Sequence, residues 1–71
     1  MSITTYVITV QRLSDSVWSV RSKLWATCHL VGRENAMARA IDQAQKIKTT
    51  GRYDRIVIRT RDGAAITSQP L

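Results

Sequence analysis

The stretch "GRENAMARAIDQAQKIKTTG", from Gly32 to Gly51, has helical periodicity, and β-rich sequence lies on both sides of it. A chain of this pattern must use one helix to cover a sheet, which excludes helical bundles and all-β sandwiches. Met37, Ala40, Ile41, Ala44 and Ile47 fall on one stripe. Ala36, Ala38, Gln43, Gln45 and Lys46 favour helix. Glu34 near the start and Lys46 and Lys48 near the end complement the helix dipole. The spacing predicts a helix over Arg33–Thr49, opened at Gly32 and stopped at Gly51.

Before the helix, "ITTYVITV" (Ile3 to Val10) is rich in β-branched residues and predicts a first strand. "QRLSDS" is turn-like. Val17 to Thr27 alternates, with Trp18, Val20, Leu24 and Ala26 on one parity and Arg21, Lys23 and Trp25 on the other. This predicts a second strand in a hairpin with the first. After the helix, Asp54–Thr60 predicts a third strand with Ile56 and Ile58 inward. Ala64–Ser68 predicts a short fourth.

Parity decides the last turn. A two-residue Asp62-Gly63 turn pairs Arg59 with Ile66 and puts Ile66 on the charged face. A three-residue loop, Arg61-Asp62-Gly63, pairs Ile58 with Ile66 on the buried face and gives Gly63 the positive φ of a G1 bulge. Burial of Ile66 favours the three-residue loop.

The chain of 71 residues is long enough for one small core, so residues 1–71 are expected to form a single domain. The expected fold is α+β, a β-β-α-β-β domain with a four-stranded, mainly antiparallel sheet and one helix packed on one face. The first strand is apolar on both parities (Tyr6, Ile8 and Val10 against Ile3 and Val7) and is expected to be central. That gives the strand order 2-1-3-4. The connection through the helix crosses the first strand, and is right-handed if the second and third strands run parallel.

Lys and Arg number 11 against 5 Asp and Glu, a net charge of +6. This excess favours an anionic partner: nucleic acid, an acidic protein surface or anionic lipid. The helix's apolar stripe is alanine-rich and needed by the core, which argues against a membrane role. No basic leader precedes an apolar run in "MSITTYVITV", and the apolar runs are too short to span a bilayer. The expected location is the cytoplasm. Cys28 and His29 are the sole cysteine and histidine, so an intrachain disulfide and a Cys/His metal cluster are excluded. Cys28 is expected to be a small buried hydrophobe and His29 a surface residue at a strand end.

The segments "VWSVR", "ENAMARAIDQAQKIK" and "DRIVIRTRDGAAI" together resemble the small bacterial and phage proteins of the domain of unknown function 2188 family. That family shows Gly/Trp-x-Val-Lys/Arg on an early strand, then a helix of the type Glu-Ala-x-x-x-Ala, then a strand closing on Asp-Gly. Trp18, Val20 and Arg21, then Ala36 and Ala40, then Asp62, Gly63 and Ile66 fit those places. The resemblance covers Trp18 to Ile66. Gly32 stands where the family usually has a Ser, Thr or Asp helix cap. The resemblance implies a compact β-β-α-β-β fold and implies no activity.

The five carboxylates, Asp15, Glu34, Asp42, Asp54 and Asp62, form no paired motif. Asp15 and Asp62 suit turns, Asp42 suits an i,i+4 pair with Lys46, and Glu34 faces the helix dipole. No Gly-rich phosphate loop or Ser/His/Asp pattern is present. No catalytic residue, metal ligand or cofactor is expected. If Trp18, Val20, Ile56 and Ile58 face the helix, then Arg21, Lys23, Trp25, Arg55 and Arg59 share the opposite face, with Arg61 at the turn beside it. Arginine forks onto phosphate and an indole stacks on a base, so this set is the candidate binding surface for nucleic acid. An acidic protein, or a second copy in a homodimer, is the alternative partner, since Trp and Arg are enriched at protein interfaces. The same alternation is also the ordinary wet side of a sheet covered on one face. Trp18 is expected in the core. The outward helix positions Arg33, Arg39, Asp42, Gln43, Gln45 and Lys46 are expected to be solvated.

Overall fold

The computed structural model describes residues 4–70. Its elements run β1 (Thr5–Arg12), β2 (Val17–Arg21), β3 (Cys28–Val31), α1 (Arg33–Thr50), β4 (Arg55–Asp62) and β5 (Ala65–Pro70). The strands form one sheet in the order β3-β2-β1-β4-β5. β1 and β4 are parallel, and every other neighbouring pair is antiparallel. The protein is therefore a small α+β domain with one helix and a mixed sheet. β1 is central, as expected. The expected start of the first strand at Ile3 lies outside the described residues.

The sheet has five strands, not four. The expected long second strand stops at Arg21, and the chain turns through residues 22–27 before returning as β3. The Tyr6 hydroxyl anchors this turn. It donates to Ser22 Oγ at 2.8 Å and accepts the Leu24 N–H at 3.1 Å. Ser22 Oγ in turn donates to Gln43 Oε1 on the helix at 3.4 Å. These bonds hold residues 22–27 in an irregular bend, so the alternation through Leu24 and Ala26 does not describe a strand. Leu24 is 54% exposed.

β3 also corrects the crossover. β2 runs antiparallel to β1 and hence to β4, so the parallel condition fails for the strand expected to feed the helix. β3 reverses the chain once more and runs parallel to β4. The β3-α1-β4 unit is then an ordinary parallel crossover passing β2 and β1. An added four-residue strand thus lets the helix start at the correct end of the sheet.

The core is divided unequally between the layers. Tyr6, Ile8 and Val10 of β1, Trp18 and Val20 of β2, and Ile56 and Ile58 of β4 point at the helix. The helix answers with Ala36, Ala40, Ala44 and Ile47. The sheet supplies the volume, while the alanines let the helix backbone approach closely. The stripe is turned slightly from the expected one. Gln43 is buried, where its side-chain oxygen accepts from Ser22, and Ile41 is 39% exposed. Met37 is half-buried, and its Sδ accepts from Thr60 Oγ1 at 3.7 Å. The helix ends on Gly51 in the left-handed region, whose N–H bonds the Lys48 carbonyl. Cys28 is only half-buried, because it lies on the edge strand β3.

The final hairpin takes neither register weighed from parity. Asp62 pairs with Ala65 across a two-residue Gly63-Ala64 turn. Gly63 has φ 61° and, among the described residues, no non-glycine residue has positive φ, the pattern of a type II′ turn. Arg61 then pairs with Ile66, and Ile66 lies on the open face, 56% exposed. Burial did not decide the register because the helix packs on β1 to β4 and does not reach β5. With no cover over β5, neither face of that strand rewards an apolar residue.

Candidate functional site

The pairing register places each side chain. Directly paired residues point to the same face of a sheet, and successive residues alternate. Tyr6, Ile8 and Val10 face the helix, so Thr5, Val7, Thr9 and Gln11 of β1 face away. Thr5 pairs with Arg55, Val7 with Val57, Thr9 with Arg59 and Gln11 with Arg61. On the other side Thr9 pairs with Arg21 and Gln11 with Ser19. β5 adds Ile66, Ser68 and Pro70.

Four arginines therefore share the open face: Arg21, Arg55, Arg59 and Arg61. All four are exposed. Arg21 and Arg59 lie two strand spacings apart, about 10 Å, with Thr9 between them. Arg59 and Arg61 lie about 7 Å apart along β4. The row Val7–Val57–Pro70 runs between Arg59 and Arg55. The face is thus a polar and cationic surface with one apolar band.

Two residues of the expected set are elsewhere. Trp25 is half-buried and packs on the core cluster. Lys23 is exposed, but it lies in the turn between β2 and β3. Both follow from the early end of β2, since strand parity stops at Arg21. Arg61 moves the other way. It was expected in the loop and stands instead within β4, on the face itself.

The same register keeps the acidic groups away. Asp62 has the helix-side parity, and Arg12 reaches it with Nη1 at 3.1 Å while Nη2 holds Asp15 at 3.3 Å. Asp62 therefore closes β4 against β1 and is more than a turn former. Asp42 pairs with Lys46 at 3.1 Å, as the i,i+4 spacing predicts. The Thr4 N–H donates to Asp54 Oδ2 at 3.0 Å. Glu34 sits in the first helical turn. Among the described residues, no carboxylate pairs with Arg21, Arg55, Arg59 or Arg61. Four guanidinium groups are left free to meet an external anion. On the helix, Gln43 is buried rather than solvated, while Arg33, Arg39, Asp42, Gln45 and Lys46 are exposed as expected.

No helix among the described residues is long and apolar enough to cross a membrane. No family model, curated protein or solved structure matches the chain.

Proposed function

We propose that this is a non-enzymatic accessory protein of the cytoplasm that binds nucleic acid through the open face of its sheet. The observation that carries the reading is the row of Arg21 and Arg59 on either side of Thr9, extended by Arg61 and Arg55, with no carboxylate partner among the described residues. Guanidinium groups fork onto phosphate oxygens, and their shared face lets several do so at once. Contacts of this kind are to the backbone and carry little base specificity. Lys23 adds charge at the end of β2, without a place in the row. The non-enzymatic part rests on the carboxylates: Asp15, Asp42, Asp54 and Asp62 each have a structural partner.

A second reading is a protein-interaction or modulator module that uses the same face on an acidic protein. The Val7–Val57–Pro70 band and the exposed Ile66 favour it, since apolar groups among cations suit a protein contact. A homodimer formed face to face is disfavoured. It brings the arginines together, and Trp25 is absent from that face. We also propose kinship with the domain of unknown function 2188 family. Trp18, Val20, Arg21, Ala36, Ala40, Asp62, Gly63 and Ile66 support it.

Affinity capture from lysate, with and without nuclease, separates the two readings. The first predicts that nuclease removes the captured material. The second predicts a captured acidic protein that survives nuclease.

A further inference from the structure

We infer that β5 is a dimerisation edge, through which two copies join their sheets antiparallel about a twofold axis at Ser68. Backbone direction comes first. In a two-residue hairpin the flanking residues form the closing hydrogen-bonded pair, here Asp62 and Ala65. Hydrogen-bonded pairs then recur at every second residue. Ala65, Thr67 and Gln69 therefore direct their backbone groups at β4, while Ile66, Ser68 and Pro70 direct theirs outward. Pro70 fits this phase, because its missing N–H falls on the side that β4 does not use.

The edge is open. Every residue of β5 is exposed, and the helix does not reach it. The strand also carries none of the charged residues that usually block edge pairing. The opposite edge, β3, offers only four residues and is in contact with the helix.

A second copy suits this edge better than another occupant for two reasons. The first is complementarity. With Ser68 opposite Ser68 of the second copy, the two exchange both backbone bonds. The Ile66 N–H then meets the carbonyl of Pro70 of the second copy. Every outward N–H of the strand has an acceptor, and the exposed Ile66 side chain lies against the proline ring. The second is charge. The chain carries +6, so most surfaces repel their own copy. Across this edge the nearest cationic rows are three strand spacings apart, about 14 Å, beyond the Debye length of about 8 Å at physiological salt.

Same-face pairing makes the two open faces continuous. The row Arg21–Thr9–Arg59–Ser68 continues into its mirror order, eight strands wide and about 34 Å across. This consequence rests on the proposed nucleic-acid reading, because it makes the dimer a longer phosphate-binding track. The dimer itself does not depend on that reading.

Sedimentation equilibrium on nucleic-acid-free protein, from micromolar to millimolar chain, is the test. Wild type is expected to rise with concentration from the monomer mass towards twice that value, and no further. Ser68→Pro removes an N–H that β4 does not use, so it should remain monomeric with an unchanged circular dichroism spectrum. Ser68→Lys places two cations face to face at the axis and should also remain monomeric. It serves as the deciding variant if the proline variant unfolds. A wild type monomeric at every concentration overturns the inference, as does a folded Ser68→Lys that dimerises like wild type. Growth beyond a dimer overturns it too. Oligonucleotide binding is measured separately, so a binding monomer refutes the edge alone and a non-binding dimer refutes the functional reading alone.

Discussion

Arg21 and Arg59 are both in register with Thr9, one on each side of the central strand, so they share a row and a face about 10 Å apart. They come from strands separated along the chain by β3 and the helix. Neither is held by a carboxylate among the described residues. What unites them is that β1 pairs antiparallel with β2 and parallel with β4. The open face is therefore a product of sheet topology, and its integrity depends on whatever fixes β2 and β4 against β1.

Tyr6 is the first such determinant. Its ring packs against Tyr53 with centroids 5.0 Å apart, and its hydroxyl anchors the turn after β2. Tyr6→Phe keeps the ring and deletes the hydroxyl, leaving the Leu24 N–H and Ser22 Oγ without their partner. Urea denaturation should show a loss of about 1–2 kcal/mol. Hydrogen exchange should speed up at residues 22–27 and stay unchanged in the β1–β4 ladder.

The helix stripe gives a paired prediction. Ile47 is 2% exposed and Ile41 is 39% exposed, although the periodicity places both on the inner face. Ile47→Ala should cost about 2–4 kcal/mol in urea denaturation. Ile41→Ala should change stability by less than about 0.5 kcal/mol. Equal effects would mean that the helix lies on the sheet in the orientation the sequence suggests.

Trp25 separates packing from binding. It lies against the core and away from the arginine row. Trp25→Leu should lower the thermal midpoint by several degrees while leaving oligonucleotide affinity within about twofold, since about 1 kcal/mol shifts a small domain by roughly 4–8 °C. A large loss of affinity with an unchanged midpoint would put the indole at the binding surface.

Much of this architecture could be read from the chain, and the failures have physical causes. The helix, the inward parity of Ile56 and Ile58, and the central place of the first strand follow from strong periodicity over long segments. Three of the six expected binding residues, Arg21, Arg55 and Arg59, fall on the open face for the same reason, while Arg61, read as part of the turn, joins them because β4 runs on to Asp62. β3 was missed because no glycine or proline marks the turn before it. The turn is held by Tyr6, Ser22 and Gln43, a tertiary contact invisible in local pattern. Trp25 was misplaced with it. Burial of Ile66 favours the wrong register because the helix does not reach β5.

The most direct test of the binding surface is fluorescence anisotropy of a labelled duplex across a salt series, comparing wild type with Arg21→Gln/Arg59→Gln. Both side chains are exposed, so the double variant should keep its fold by circular dichroism. Each lost phosphate contact lowers the slope of log K against log salt by about 0.9. The double variant should bind more weakly at low salt, with a slope reduced by about 2. Unchanged affinity and slope in a folded variant would contradict it, as would a wild type that binds neither duplex nor single strand at low salt.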